Sequence, residues 1–193
     1  MPRRSARTLW AAKLAGRDVE PSAETLRAMG AREPFHGIVL GIDPSLRGTG
    51  LGVVEFAGAG NGRLLFSRTV RAPAKASAVD CLGHIARAVA ELLDRYTVRH
   101  VAVEETIYVQ NFRTAQILGT ARGAAIAPAA MRGTPVFEYP PLRVKQAVAG
   151  FGRASKEQVA GQLRGILKLD AALGLDETDA AAVALCHALT FRQ

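Results

Sequence analysis

The sequence predicts an α/β fold: a mixed five-stranded sheet, with three antiparallel strands followed by two parallel ones, and helices on both faces. Two observations lead to this prediction. Three short apolar runs before residue 72 are joined by glycine-rich turns, and tight turns connect antiparallel neighbours. Two apolar runs after residue 97 each follow a helical segment, and a long crossover places such strands parallel to the first.

The central strand is predicted at Ile38–Ile42, an uninterrupted apolar run. A strand that is apolar at every position is buried on both faces, so it belongs in the middle of a sheet. Pro44 has no amide hydrogen to donate and ends the strand directly after Asp43. Asp43 is therefore expected at the end of a central strand, where it either serves a site or simply caps the Asp-Pro turn.

The other elements follow in order from hydrophobic spacing and turn residues. The later strands are predicted at Gly50–Phe56, Leu64–Arg71, Arg99–Glu104 and Pro135–Tyr139. The helices are predicted at Ser77–Tyr96, at Thr114–Met131, after Pro140 and Pro141, at Ser155–Leu169 and at Asp176–Thr190. Proline suits a helix start because the first amide hydrogens have no partner within the helix.

The composition indicates a basic protein with a sizeable apolar core. The net charge of +8 points to a polyanionic partner; the alternative is that it serves solubility alone. No apolar run approaches the roughly 20 residues that span a bilayer, and Leu9–Leu14 is too short and polar for a secretory signal. Cys81, Cys186 and His187 lie in apolar helical patterns and are expected in the core, without a disulfide.

Two regions are predicted along the chain. Residues 1–36 carry more basic than acidic side chains and are expected to form a poorly ordered basic extension that contacts nucleic acid. Residues 37–193 contain all the predicted strands and helices and are expected to fold as one domain.

Four acidic residues are predicted to meet at one edge of the sheet. Glu104 ends its strand as Asp43 ends the central one, and parallel neighbours end at the same edge, where ligands bind in open α/β folds. Asp176 and Asp179 are three residues apart and lie on one face of the last helix. The alternative is that this pair only caps that helix.

Such a cluster predicts metal-assisted phosphodiester cleavage. Crowded carboxylates are unfavourable without a positive partner, and ligands that are all oxygen suit Mg²⁺ or Mn²⁺. No cysteine and histidine cluster with zinc spacing competes in the sequence. Two ions about 3.5–4 Å apart would activate a water and stabilise the leaving oxygen.

Eight short motifs follow one another in a specific order along the chain. They are G-I-D-P at Gly41–Pro44, T-G-x-G at Thr49–Gly52, V-E-E-T-I-Y-V-Q-N at Val103–Asn111, A-R-G at Ala121–Gly123, V-F-E-Y at Val136–Tyr139, R-V-K-Q at Arg143–Gln146, G-x-x-x-K-x-Q-V at Gly152–Val159 and D-x-x-D-A at Asp176–Ala180. Together they resemble the RuvC family of Holliday junction resolvases. The resemblance covers about residues 38 to 190.

The resemblance implies an RNase H-like fold and a homodimer that nicks two opposed strands of a four-way DNA junction in recombination and repair. It further implies bacterial cytoplasm, the RuvA–RuvB branch-migration complex as a partner, and two Mg²⁺ per subunit, for which Mn²⁺ can substitute. The family's catalytic, metal-binding acids would fall on Asp43, Glu104, Asp176 and Asp179.

The resemblance also implies DNA-binding residues. Lys145 and Lys156 match the family's basic residues near the cleaved backbone, and Arg143 lies in the same motif as Lys145. Lysine is a good point charge for phosphate; the alternative is that both lysines are ordinary surface residues. The aromatic that inserts into the junction would fall on Ile107, with Tyr108 beside it to take over stacking. Alternatively, both residues pack under their loop.

Two further features bear on this resemblance. The family usually has glycine where this chain has Ser45. The helix Thr114–Met131 is rich in small residues and is expected to form the dimer contact, or else to pack closely on its own sheet. Rival functions are an RNase H-like nuclease for other branched DNA or RNA, and a junction-binding module without catalysis.

Overall fold

The computed structural model describes residues 34–58, 61–105 and 111–191, and the fold is that of the unit Phe35–Phe191. The predicted basic extension, residues 1–36, falls almost entirely outside these stretches and stays a prediction. Ile107 and Tyr108 also lie outside the described residues.

A mixed five-stranded sheet forms the centre of this unit. Its strands are β1 (His36–Asp43), β2 (Thr49–Ala57), β3 (Gly62–Val70), β4 (Val98–Glu104) and β5 (Val136–Tyr139). Their order in space is β3-β2-β1-β4-β5. The pairs β1–β2 and β2–β3 are antiparallel, whereas β1–β4 and β4–β5 are parallel. The predicted mixed sheet is confirmed.

β1 lies at the centre because its side chains are apolar on both faces. Val39, Leu40 and Ile42 are fully buried. The strand is longer than its apolar run, since backbone pairing with β2 continues from His36 to Asp43. Backbone pairing does not require apolar side chains, so hydrophobicity alone could not locate these ends.

Five helices connect and flank the strands. They are α1 (Ala78–Arg95), α2 (Phe112–Met131), α3 (Pro141–Ala149), α4 (Lys156–Ile166) and α5 (Leu175–Thr190). Capping boxes start α1 at Ser77 and α4 at Ser155. The predicted end of α4 at Leu169 is wrong: the helix stops at Ile166, because Lys168 adopts a left-handed conformation with φ of 51°.

The helices cover both faces of the sheet, as predicted. Residues of α1 and α2 pack on one face, around Leu40 and Leu51, and residues of α3, α4 and α5 pack on the other, around Val39 and Val54. Burial of this apolar surface, at roughly 25 cal/mol per Å², is the main force that holds the layers together. Among the helices in residues 34–58, 61–105 and 111–191, none is long and apolar enough to cross a membrane.

A buried histidine pair lies between β4, β5 and α5. His187 is fully buried, and its two ring nitrogens lie 2.8 Å from His100 Nδ1 and 2.8 Å from the Tyr139 hydroxyl. Burial lowers the pKa of His187 to about 3, with the charge of His100 as the second cause. Cys81 and Cys186 are buried free thiols. The prediction that Cys81, Cys186 and His187 belong to the core is confirmed.

Candidate active site

The parallel pairing of β1 and β4 brings Asp43 and Glu104 to the same edge of the sheet. Ile42 pairs with Val103, and each acid is the next residue along its strand. The two side chains are in direct contact, with the Glu104 carboxyl donating a hydrogen bond to Asp43. Pro44 then turns the chain away, so both carboxyl groups face the space beyond the strand ends.

Two glycines allow α5 to lie directly against this edge. A Cβ atom at Gly41 would collide with the carbonyl oxygen of Ala180, and one at Gly50 would collide with that of Asp176. Because Gly41 and Gly50 carry no side chain, the first turns of α5 rest on the backbones of β1 and β2. This contact carries Asp176 and Asp179 to the end of β1, and the charges of both act on Asp43.

Asp176 and Asp179 do not cap α5. The N-cap residue is Gly174, and no side chain makes the capping hydrogen bond. Instead, Asp179 Oδ2 accepts a hydrogen bond from Lys156 Nζ at 2.8 Å, and Asp176 Oδ2 lies 3.9 Å from Arg71 Nη2. The capping interpretation of this pair is therefore wrong.

Crowding at the half-buried edge shifts the pKa values of its groups. Burial, followed by the charge of Asp43, raises the pKa of Glu104 to about 8. Burial, followed by the charge of Asp179, also raises the pKa of Asp43. The Asp43–Glu104 pair therefore holds one proton at neutral pH. The hydrogen bond and charge of Asp179 raise the pKa of Lys156.

Two predicted lysines and two of the acids line the same small cavity. The cavity has a volume of about 190 Å³, and Glu104, Lys145, Lys156 and Asp179 line it. Arg143 is exposed on the same helix as Lys145, but its charge acts on Tyr139 and Cys186. The structure thus brings both lysines to the acidic edge and points Arg143 elsewhere.

Ser45 orders the loop between β1 and β2. Its hydroxyl accepts a hydrogen bond from the Gly48 amide at 3.0 Å. Its own amide donates to Thr49 Oγ1 at 3.2 Å, and the Thr49 hydroxyl donates back to the Ser45 carbonyl at 2.6 Å. The serine that departs from the family pattern therefore closes this turn beside Asp43.

The donor set suits a hard divalent cation, although its side chains are not arranged around one. All four acids offer only oxygen ligands, which Mg²⁺ and Mn²⁺ prefer. Among the residues described, no three acidic, histidine or cysteine side chains are gathered closely enough to hold an ion. The pairings explain why: Asp43 bonds to Glu104, and Asp179 bonds to Lys156. Ligation requires the shared proton to leave and Lys156 to turn aside.

Arg71 also belongs to this edge, but it was not predicted from the sequence. It follows directly after β3, whose last residue, Val70, pairs with Thr49 at the same edge. The sequence did contain a usable signal. The third predicted strand is antiparallel to the second and so runs back toward the edge that holds the acids, and the residue after its end must lie near that edge. The isolated arginine carried no motif, and only the ion pair with Asp176 places it at the site.

Comparison with known proteins identifies close relatives. The family model for crossover junction endodeoxyribonuclease RuvC matches residues 39–187. The curated protein of that name from Halorhodospira halophila is 43% identical over 153 residues, covering 78% of this chain and 89% of the relative. The one from Thermus thermophilus is 41% identical over 158 residues, covering 80% and 95%.

Solved structures show the same likeness. Thermus thermophilus RuvC in complex with Holliday junction substrate superposes with a TM-score of 0.76 at 42% identity, covering 80% of this chain and 94% of that one. The yeast mitochondrial Holliday junction resolvase has a TM-score of 0.58 at 12% identity, covering 92% and 89%, and shows the shared fold alone.

The strand order and the helix that carries acids to the sheet edge define an RNase H-like fold of the resolvase class. The chain belongs to the RuvC family of crossover junction endodeoxyribonucleases. Nucleases of this family are metal-dependent.

Proposed function

We propose that this protein resolves four-way (Holliday) DNA junctions during recombination and repair by hydrolysing one phosphodiester bond in each of two opposed strands. The observation that carries the proposal is the convergence of Asp43, Glu104 and Asp179 at one sheet edge. Family membership supports the substrate, since a RuvC 42% identical to this chain was solved with a Holliday junction substrate.

The acidic edge is proposed as the catalytic centre. Asp43, Glu104, Asp176 and Asp179 would hold two Mg²⁺ per subunit, with Mn²⁺ as a substitute. Bound ions of this kind activate a water and stabilise the leaving oxygen. The chain itself supplies rigid placement, because two acids end neighbouring strands and the other two lie on a helix packed directly against them.

The two lysines are proposed to hold the scissile phosphate. Lys145 and Lys156 line the cavity beside Glu104 and Asp179. Their positive charges attract a phosphate group that the acids alone would repel. Arg143 would contact the DNA backbone further from the acids. Ile107 and Tyr108 are proposed to reach the junction centre, with Tyr108 stacking on a base.

A homodimer is proposed to form through α2. One face of the helix is buried through Ala121, Ala125 and Ala129, whereas Phe112 and Met131 are exposed. A Cβ atom at Gly119 or Gly123 would meet nothing within 4 Å, so a second copy could approach the exposed face closely. Two subunits would supply one acidic edge for each strand that is cut.

The wider setting follows from the same proposal. The basic residues of segment 1–36 would add contacts to the junction arms, and residues 37–193 would form the nuclease domain. We propose the bacterial cytoplasm as the location and the RuvA–RuvB branch-migration complex as a partner, because a junction resolvase acts on chromosomal DNA.

The decisive experiment is the Asp43→Asn variant on synthetic immobile and mobile four-way junctions. We expect the variant to bind junctions as the wild type does but to lose cleavage. The substitution removes one anionic metal ligand, and asparagine has nearly the same shape as aspartate, so the fold is kept. Asp170→Asn, a change at an exposed acid of the same type, is the matched control. Cleavage by Asp43→Asn in the presence of a chelator would contradict the mechanism.

Substrate comparison tests the rival functions. Linear duplex, three-way junctions and RNA–DNA hybrids are offered beside the four-way junction. We expect paired nicks only in the four-way junction. Preferred cutting of another substrate would favour a different RNase H-like nuclease, and binding without metal-dependent nicking would favour a non-catalytic module.

A further inference from the structure

A basic cleft runs along the outer edge of the sheet, between β3 and α1. Its volume is about 350 Å³, and its charged lining comprises Arg68, Arg71, Arg87 and Glu91, with His84 beside them. Three guanidinium groups against one carboxylate leave the cleft positively charged. Neither the predicted catalytic residues nor the proposed mechanism uses Arg68, His84, Arg87 or Glu91.

The cleft is continuous with the acidic edge. Arg71 lines the cleft, and its Nη2 atom also lies 3.9 Å from Asp176 Oδ2. β3 ends at this edge at Val70, and residues 71–77 then lead to α1. Arg71 therefore stands where the two sites meet.

The cationic side chains of the cleft are held in place. The Arg87 guanidinium folds back over Gly83, where a Cβ atom would lie 3.2 Å from its Nη1 atom. Arg68 lies 3.5 Å from the carboxylate of Glu91 and also contacts the Phe66 ring. Arg47 donates to the carbonyl oxygens of Ala74 and Ala76, which ties the segment before α1 to the first loop.

We infer that this cleft between β3 and α1 binds the phosphate backbone of duplex DNA where one arm of the junction leaves the active site. The inference rests on the proposed function, because it names a contact surface for the same substrate. Arginines set along a groove suit a chain of phosphates, whereas a lone small anion would need a converging set. The cleft need not read bases, since phosphate contacts position DNA without specifying its sequence.

The test is the salt dependence of binding, which reflects the number of phosphates that the protein neutralises. Removing one phosphate-binding cation makes the slope of log Kobs against log salt less negative by about 0.9. For the double variant Arg68→Gln/Arg87→Gln we expect a change of about 1.8. Between 50 and 200 mM salt, its affinity should then fall about 10-fold less than that of the wild type. The probes are a synthetic immobile four-way junction and a linear duplex of arm sequence, measured with a chelator present.

Two single variants sharpen the test. Arg63→Gln changes an exposed arginine at the far end of β3, outside the cleft, and should leave the slope unchanged. Glu91→Gln removes the carboxylate of the cleft and should tighten binding, which a merely structural role would not produce. Thermal unfolding checks that each variant is folded. If the double variant is not, Arg87→Gln alone should still change the slope by about 0.9.

Equal slopes for the wild type and the folded arginine variants would overturn the inference, and so would an equal change in Arg63→Gln. Failure of the proposed function gives a different result. A wild type that does not nick the junction would refute that function, while the slopes on linear duplex would still decide whether the cleft binds DNA. If the wild type nicks the junction normally but the arginine variants have its salt slope, only the inference about the cleft is overturned.

Discussion

At the scale of single residues, the edge proposed as the active site is an electrostatically unfavourable arrangement. Glu104 and Asp43 are half-buried, adjacent and of like charge, and burial is the largest cause of the raised pKa of each. The shared proton and the Lys156 ammonium offset part of the repulsion. Such sites commonly reduce stability in favour of activity.

Glu104→Gln should therefore stabilise the metal-free protein while abolishing cleavage. The amide keeps the shape and a hydrogen bond to Asp43, but it needs no proton, whereas Glu104 with its pKa of about 8 must take one up on folding at pH 7. We therefore expect the free energy of unfolding at pH 7 to rise by about 1–3 kcal/mol. Chemical denaturation with a chelator present measures it. Asp170→Asn, the change at an exposed acid used above as a control, is again the comparison. A drop in stability in Glu104→Gln as large as that of a core truncation would contradict the expectation.

The buried His187 predicts how stability changes with pH. Its folded pKa of about 3 lies below the ordinary value of 6.5, so protons bind the unfolded chain first as the pH falls. Stability from the neutral ring is complete above about pH 6.5 and is lost toward pH 3. Between pH 7 and pH 5 this loss amounts to about 2 kcal/mol.

His187→Phe isolates that contribution, because it keeps a ring among the neighbouring aromatics but cannot be protonated. The difference in unfolding free energy between the wild type and the variant should shrink by about 2 kcal/mol from pH 7 to pH 5. Urea denaturation at both pH values measures it. A difference that stays constant with pH would show that His187 takes up its proton in the folded state.

At the scale of elements, the packing of α5 on β1 and β2 assembles the site. Residue patterns predicted most of it: the apolar run of β1 indicated its central place, and the strand ends indicated Asp43 and Glu104. The pairings of Asp179 with Lys156 and of Asp176 with Arg71 were beyond prediction, because they depend on tertiary distances across three elements. The end of α4 was also missed, since nothing in its apolar spacing marks the left-handed Lys168.

Gly50→Ala tests this packing. The added methyl group would meet the Asp176 carbonyl, so the start of α5 must move away from β2. We expect stability to fall by about 1–3 kcal/mol and cleavage to be lost. Gly161→Ala in α4, where a Cβ atom meets nothing within 4 Å, should be neutral or stabilising by up to about 1 kcal/mol. Equal behaviour of the two variants would contradict the packing argument.

At the scale of the whole molecule, the proposed pairing of subunits depends on the outward face of α2. The sequence left two interpretations of the small residues of this helix open: a dimer contact or close packing on the chain's own sheet. Ala121 and Ala125 are buried against the chain's own core, whereas Gly119 and Gly123 face open space. Periodicity alone could not assign them, because glycine and alanine carry little hydrophobic contrast.

Gly119→Arg should prevent dimer formation without unfolding the subunit. The long charged side chain has room in a monomer. In a dimer through this face, a second copy would bury its charge without an opposite charge beside it. Sedimentation velocity should show a monomer, and junctions should be nicked in one strand rather than two. Gly161→Arg, an exposed change away from α2, is the control. A Gly119→Arg protein that stays dimeric would place the interface elsewhere.

The position of β3 at the margin of the sheet has one more consequence. The outer edge of β3, along nine residues, presents backbone groups that pair with no other strand of the described residues, and a second sheet could add there, the usual route to fibrous aggregates. Two exposed arginines of β3, Arg63 and Arg68, disfavour such pairing, because the same strand of a second molecule carries the same positive charges. At the opposite edge of the sheet, β5 is only four residues long. Selection for colloidal solubility and selection for substrate capture thus act on the same strand.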